Sequence, residues 1–329
     1  MHNKDLIRQI EYAANLIKKG EIVAFPTETV YGIGADVSKV SAIEKIYSIK
    51  KRPQNNPLIV HISNLKQLEN LVYNYGDKEQ ILIDQFWPGP LTILFKKNEL
   101  VPDIVTAGSE YVAIRMPSNQ ISLDLINKSN TPIVAPSANP SGKPSSTHHN
   151  HVKHYFADGL FCIEGGKTNI GLESTVISLN ESKPSILRLG VITKSDLEQV
   201  LGEEFIEANK PSKKVLSPGM LYKHYAPNAE LQIIDKFEDF ILEIDRLNLQ
   251  NKRIGILASD QTIQMLGQSK DVIFKSLGNK DNLLEISNRL FDKLLEFDSS
   301  NVDIILTERF IDNGLGKAIM DKLERATQK

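Results

Sequence analysis

From about residue 230 onward the chain alternates short apolar runs with longer amphipathic ones, and that rhythm leaves few folds open. Leu231–Ile234, Arg253–Ala258, Val272–Phe274 and Val302–Leu306 have strand length and an apolar, largely β-branched character. Phe237–Leu247, Leu283–Phe297 and Leu315–Ala326 carry apolar residues at helical spacing. Strands separated by helix-length segments build a parallel sheet by crossover connections, so a small parallel-sheet domain is predicted here. No catalytic constellation stands out within it.

At 329 residues the chain exceeds one typical core, and the stretch before residue 203 reads as a second, larger domain. Asp5–Lys19 places Leu6, Ile10, Ala13, Ala14 and Ile17 on one helical face, with Gly20 as C-cap. Ile22–Phe25 is a buried-type strand that empties into a loop, Pro26–Asp36, crowded with hydroxyls, the Glu28 carboxylate and two glycines. Open α/β sheets place ligands at such strand ends. The loop is not a dinucleotide fingerprint, because Val37 stands where a third glycine belongs. Nor is there a P-loop: Gly165-Gly166-Lys167-Thr168 has Phe161 in place of the upstream glycine.

The most informative corner runs from Lys50 to Ile62. A helix over Val40–Ile49 meets three consecutive cations, Lys50, Lys51 and Arg52; Pro53 and Pro57 stop the helix, and Leu58–Ile62 follows as a strand. Cations fixed at a helix-to-strand corner suit phosphate or carboxylate, since Arg offers a planar fork and Lys a point charge. A solvated basic loop would carry the same residues.

Downstream, Asn64 is read as capping a helix over Leu65–Tyr75, and Lys78–Phe86 continues helical to Trp87-Pro88-Gly89-Pro90. Leu91–Phe95 and Val112–Arg115 are strands, with Arg115 at a strand end before Pro117 and Ser118 as the expected cap of a helix reaching Lys128. Ile133–Gly142 is a strand breaking into a small polar loop whose hydroxyls, amide and backbone N–H groups can cradle phosphate. Ser145, Ser146 and Thr147 precede a further helix. His148, His149, His151 and His154 have metal-like spacing, but no Asp, Glu or Cys set accompanies them. Leu160–Ile163, Thr175–Leu179 and Ile186–Leu189 are strands, the last carrying Arg188, and Thr193 or Ser195 caps a helix to Leu201. Cys162 alternates with apolar neighbours as a core residue. From Glu203 to about Glu230, Lys and Pro cluster as in a linker, yet Ser217–Pro227 is dense in aromatic and cationic residues, as a lid over a site would be.

Composition narrows the function classes. A net charge of −2 gives no global attraction to nucleic acid, so any anion site must be local, and tight nucleic-acid binding by the chain alone is not expected. One cysteine excludes an internal disulfide and a cysteine-rich zinc site. No apolar run approaches the roughly 18 residues of a membrane span, so a cytoplasmic protein with no membrane partner is expected.

The parts gain meaning together. FPTETVYGIG at Phe25–Gly34, Lys50 and Arg52 followed by NPLIVHI, WPGPLT, Arg115-Met116-Pro117, Ser137 and Asn139, GLESTV and the Arg188 strand occur in order. They resemble the YrdC/Sua5 family, the threonylcarbamoyl-AMP synthases that serve N6-threonylcarbamoyladenosine (t6A) formation in tRNA. PGMLYKHYAP and the C-terminal LGKAIMDKLERA resemble the linker and extra domain of the two-domain Sua5 type. Arg188-Leu189-Gly190 departs from the Arg-Pro-Gly often found there, which touches the turn and not the cation.

The resemblance implies an α/β fold: a YrdC-like twisted open sheet with a concave basic groove over residues 1–203, a linker acting as lid over 204–229, and a smaller Rossmann-like parallel-sheet domain over 230–329. It implies a nucleotidyltransferase that converts L-threonine, bicarbonate (or CO2) and ATP into threonylcarbamoyl-AMP and pyrophosphate, with Mg²⁺ accompanying ATP on unassigned ligands and the product passed to the tRNA threonylcarbamoyl-transferase machinery. By the same resemblance, Arg115 would hold the threonine carboxylate, with Thr29, His61, the Ala135 backbone and Ser174 around the amino acid. Lys50 and Arg52 would be catalytic, offsetting charge on carboxylate and phosphates. Arg52, Asn56, Ser137, Asn139, Ser145 and Arg188 would line ATP, with Tyr225 closing from the linker. Two other classes share the fold: a double-stranded RNA-binding module, which the charge disfavours, and the hydrogenase-maturation carbamoyl-transfer enzymes, whose cysteine-rich zinc modules one Cys cannot supply.

Overall fold

A computed structural model describes residues 3–181, 183–207, 224–267 and 272–327. Residues 218–223 of the aromatic linker motif lie outside the described residues. Contacts divide the chain into two compact units: the described residues of 1–141, 146–169 and 173–222, and those of 142–145, 170–172 and 223–329.

The first unit begins with α1 (Asn3–Lys18), β1 (Val23–Phe25), β2 (Gly32–Asp36), α2 (Val40–Lys50), β3 (Ile59–His61), α3 (Leu65–Glu69) and α4 (Asp77–Phe86). It continues through β4 (Leu91–Lys96), α5 (Asp103–Thr106), β5 (Tyr111–Arg115), α6 (Gln120–Ser129), β6 (Ile133–Val134) and α7 (His149–Phe156). It ends with β7 (Phe161–Cys162), β8 (Thr175–Ser178), β9 (Ser185–Arg188), α8 (Lys194–Leu201) and β10 (Ile206–Glu207). Among the described residues these strands form one mixed sheet in the order β10-β9-β8-β4-β5-β3-β6-β2-β1-β7.

Period-two alternation sorts the side chains. Val23 and Phe25 of β1, with Ile133 and Ala135 around β6, pack under Ile10, Ala13, Ala14 and Ile17 of α1 and Leu125 and Ile126 of α6. Ala24 and Val134 turn the other way, into the core with Ile43, Ile46 and Tyr47 of α2. Farther along the sheet, Ile59, Leu94, Ala113, Val176 and Leu187 make an apolar cluster. His61 and Arg115, two residues beyond Ile59 and Ala113, therefore project from that same face.

Three local expectations are corrected. Gly32–Asp36 is strand β2, paired antiparallel with β1, where a loop was expected. Its glycines answer to packing: a Cβ on Gly34 would lie 2.7 Å from the Phe25 ring and from Ile133 Cγ2. The helix after Asn64 stops at Glu69, because Leu71 O and the Val72 bridge to Lys97 draw the chain toward the end of β4. Asn119, not Ser118, caps α6, accepting from the Ile121 and Ser122 N–H groups. Helix α7 is capped by His148 through its own ring nitrogen.

The second unit runs β11 (Glu230–Ile234), α9 (Phe237–Leu249), β12 (Ile254–Ala258), α10 (Asp260–Leu266), β13 (Val272–Ser276), α11 (Leu283–Asp298), β14 (Ile304–Glu308) and α12 (Gly314–Thr327). Its strands are all parallel, in the order β11-β14-β12-β13, as the alternation predicted. Helix α10 was not read from the sequence. Two short pieces from earlier in the chain cluster here. Ala226 N–H donates to Gly142 O at 2.8 Å, and Ser287 Oγ of α11 donates to Ile170 O at 3.0 Å. A Cβ on Gly171 would lie 2.5 Å from Asn288 Cα, so only glycine fits against that helix backbone. No helix among the described residues is long and apolar enough to cross a membrane.

Candidate active site

Strands β3 and β5 run parallel with His61 opposite Arg115, and that register places imidazole beside guanidinium. His61 Nε2 lies 3.1 Å from Arg115 Nη2. A guanidinium only donates, so Nε2 accepts and the imidazole proton sits on Nδ1. Burial and the Arg115 charge hold His61 well below the usual histidine range, and it is neutral. The Phe25 ring meets it edge-on at 6.2 Å between centroids.

Arg115 Nη1 donates to Glu28 Oε1 at 2.6 Å, and both side chains are buried. Glu28 Oε2 accepts from the Ser118 N–H at 3.2 Å, which gives Ser118 a role other than capping. The β1–β2 connection holding Glu28 is stiffened from inside. Thr27 Oγ1 donates to Val30 O at 2.7 Å and accepts the Thr29 and Val30 N–H groups. With that proton committed, the 2.8 Å bond between the two threonine hydroxyls runs from Thr29 to Thr27. Arg115 Nε is buried yet finds no hydrogen-bond partner among the described residues, whereas the His61 ring lies against the Ile133 and Ile59 backbone. A buried donor such as Nε is costly unless something accepts from it, as a bound carboxylate does.

Ser174 stands at the entry to β8. Arg188 of β9 clasps it twice, Nε to Ser174 O and Nη2 to Ser174 Oγ, each at 2.9 Å. Thr92 of β4 lies 2.7 Å from the same hydroxyl. Gly190 permits the close approach: a Cβ there would fall 2.5 Å from Thr175 N and 2.7 Å from Glu173 O. The Arg188 charge also presses down the affinity of His61 and Arg115 for protons, which places it within electrostatic reach of both. Ala135 joins from beside β3, its N–H donating to Ile59 O at 2.9 Å.

The basic corner forms the other half. Helix α2 ends at Lys50, and Lys51 adopts a left-handed C-cap, φ 51°, that swings the chain toward Arg52. Lys50 is buried to its tip, with Nζ donating to Ser137 O at 2.5 Å and to Asn139 O. Arg52 donates from Nε to Asn56 O at 3.2 Å and from Nη2 to Pro57 O at 2.8 Å. Asn56 is buried, and its side-chain oxygen has no partner among the described residues. Burial and Arg52 push Lys50 well below the usual lysine range, while Glu173 pulls it back up. Glu173 precedes Ser174, so this corner and the Arg115 corner meet across one loop.

Of the residues singled out in the sequence, the first unit therefore gathers Thr29, His61, Arg115, Ala135, Ser174 and Arg188 on one side and Lys50, Arg52, Asn56, Ser137 and Asn139 on the other. Arg52, Arg115 and Arg188 against the Glu28 and Glu173 carboxylates leave an excess of positive charge even with Lys50 neutral, which suits anionic ligands. Ser145 and Tyr225 belong to the second unit. There the Tyr225 ring stacks on Phe291 at 5.0 Å, under Lys322 Nζ at 5.8 Å, with its backbone at φ 67°.

Glu28, Thr92 and Glu173 were not singled out as site residues. Glu28 was visible only as a carboxylate in a polar loop, and Thr92 as one residue of a strand. Partners across strands are invisible to spacing along the chain. The histidines have local occupations: His148 caps α7, and His151 Nδ1 accepts from the Thr147 N–H at 3.2 Å. Among the described residues no group of three or more His, Cys, Asp or Glu side chains is arranged to hold a metal ion. The buried Cys162 thiol is pushed up to about 12 by desolvation, which leaves it unreactive at neutral pH.

A family model described as telomere recombination, Sua5–YciO–YrdC, matches residues 15–190. A second, described as the C-terminal domain of threonylcarbamoyl-AMP synthase, matches 192–328. The threonylcarbamoyl-AMP synthase of Pyrococcus abyssi is 42% identical over 97% of this chain and 94% of its own length. That of Bacillus subtilis is 43% identical over 97% and 92%. The crystal structure of P. abyssi Sua5 complexed with L-threonine superposes with a TM-score of 0.89 at 40% identity, covering 97% of this chain and 94% of that one.

Proposed function

This chain belongs to the YrdC/Sua5 family, in its two-domain form, and we propose that it joins L-threonine, bicarbonate and ATP into threonylcarbamoyl-AMP with release of pyrophosphate. The observation that carries the reading is the buried Arg115 fork, fixed by Glu28 and His61 with Nε still unsatisfied, next to a second cationic corner. One fork suits a carboxylate; the other corner suits phosphates.

Chemically, the threonine amine captures carbon dioxide as an N-carboxylate, which attacks the α-phosphorus in line as pyrophosphate leaves. Such a sequence depends on positioning and charge neutralisation and uses no protein nucleophile. Arg115 takes the threonine carboxylate, with Thr29, His61, Ala135 and Ser174 around the amino acid. Lys50 and Arg52 face the developing charge; Asn56, Ser137, Asn139, Ser145, Arg188 and Tyr225 serve ATP. Residues 1–203 hold the chemistry, 204–229 act as lid and 230–329 form the accessory domain. Mg²⁺ would accompany the triphosphate and offset its charge; the described side chains provide no carboxylate cage for it. The adenylate passes to the machinery that modifies tRNA.

Pyrophosphate release from ATP by the purified protein, with threonine and bicarbonate omitted in turn, tests the reaction. Release requiring both is expected. Release requiring neither, or none under any condition from folded protein, overturns it.

A further inference from the structure

The proposed reaction carries a proton problem. Threonine arrives as an ammonium, and only the free amine attacks carbon dioxide, so a group in the site must accept a proton. The obvious bases are occupied. His61 Nε2 already accepts from Arg115, and the Glu28 oxygens are taken by Arg115 and the Ser118 N–H.

Lys50 differs. Its amine nitrogen has four tetrahedral positions: one is Cε, and two point hydrogens at Ser137 O and Asn139 O. Both acceptors are neutral carbonyls, and the two N–H groups of a neutral amine are enough to fill both, although an ammonium bonds them more strongly. Among the described residues no carboxylate makes an ion pair with Nζ, whereas the buried Arg115 and Lys322 each have one. The fourth position is left for a lone pair.

We propose that Lys50 is the general base of the first half-reaction, accepting the proton of the threonine ammonium. This rests on the synthase reading above. The charged groups that act on Lys50 are Arg52, from the turn beyond its own helix, and Glu173, from the loop before β8; the 137–139 loop presents carbonyls. Burial and Arg52 favour the neutral amine, and Glu173 opposes them without reversing the shift.

The protons balance. Lys50 Nζ takes one from the threonine ammonium and gives it to the hydroxyl of bicarbonate, whose C–O bond breaks to release water and carbon dioxide. The free amine forms the N–C bond, and its next proton returns to Lys50. Ammonium plus bicarbonate has become carbamate plus water, with one proton on Lys50. Lys50 thus enters the second half-reaction charged, when the carbamate oxygen attacks the α-phosphorus.

The wild-type requirement for threonine and bicarbonate is established first, so that failure of the synthase reading shows itself separately. Lys50→Arg, which keeps the charge but accepts no proton, is expected to lower turnover about 100-fold or more. Lys50→Ala falls similarly and regains turnover with methylamine, in proportion to the free-base form as pH rises. Lys50→Arg turning over at a rate near wild type across the pH range, or rescue of Lys50→Ala by guanidinium as effective as by methylamine, overturns the proposal. If either variant misfolds, the wild-type profile of kcat/KM for threonine decides. A plateau well below the amine pKa of free threonine supports the base; a climb unbroken up to that pKa overturns it.

Discussion

His61 and Arg115 face each other across two parallel strands and touch at 3.1 Å, and burial together with the Arg115 charge keeps the imidazole neutral. The ordinary histidine value is 6.5, and the folded value is well below it. Between the two the unfolded chain binds more protons, so stability is full above about pH 6.5 and falls as pH drops toward the folded value. The loss attributable to His61 is about 1.4 kcal/mol per pH unit in that window. Urea unfolding at pH 7.5 and 5.5 measures it, and His61→Gln is expected to show the smaller difference. An equal difference in both proteins would assign the acid sensitivity elsewhere.

Glu28 and Arg115 form a buried ion pair, so removing one partner strands the other. Glu28→Ala should destabilise the protein by about 3–5 kcal/mol, read from urea midpoints. Arg115→Lys keeps the charge but loses the planar fork, and threonine affinity by calorimetry should drop well over tenfold.

Gly190 tests how finely Ser174 is placed. The Cβ of Gly190→Ala has no room beside Thr175 N and Glu173 O, so the Ser174 loop must shift. A displacement of about 1 Å at a positioned group costs on the order of 100-fold in rate. The expected outcome is a fall in kcat/KM for threonine with the overall circular dichroism unchanged. Unaltered kinetics would mean that Ser174 is not a positioning group.

Arg52 is held by two backbone carbonyls, and the proposed function sets its charge toward the phosphates. Arg52→Ala should lower adenylate formation about 100- to 1,000-fold in a pyrophosphate-release assay. Stability should fall by only about 1–3 kcal/mol, from the carbonyls left unpaired. Near-normal turnover would sink the assignment.

Much of this architecture is legible along the chain because it is periodic. The alternation after residue 230 specified an all-parallel sheet, and the prolines at 53 and 57 marked the corner at Lys50. What escaped depends on other strands. Gly32–Asp36 looks like a loop because glycine weakens every strand signal, yet Gly34 is demanded by Phe25 and Ile133 lying across it. Ser118 has the chemistry of a cap, but Asn119 reaches the two N–H groups, and Ser118 is drawn to a carboxylate 90 positions earlier. The cations of the site could be named from sequence, whereas Glu28 and Thr92 acquire meaning only from the partners that the sheet brings to them.

Ile170, Gly171 and Leu172 belong to the second unit, and the next residues, Glu173 and Ser174, belong to the first. Three peptide bonds separate Gly171, packed against α11, from Ser174, clasped by Arg188. Cutting the chain at residue 222 is therefore not the removal of an appendage. It strips 142–145 and 170–172 of the neighbours they cluster with and leaves two loose loops spliced directly into the first unit. A shortened version of this protein would need those loops rewritten, and the two halves of the gene cannot drift independently at Gly171.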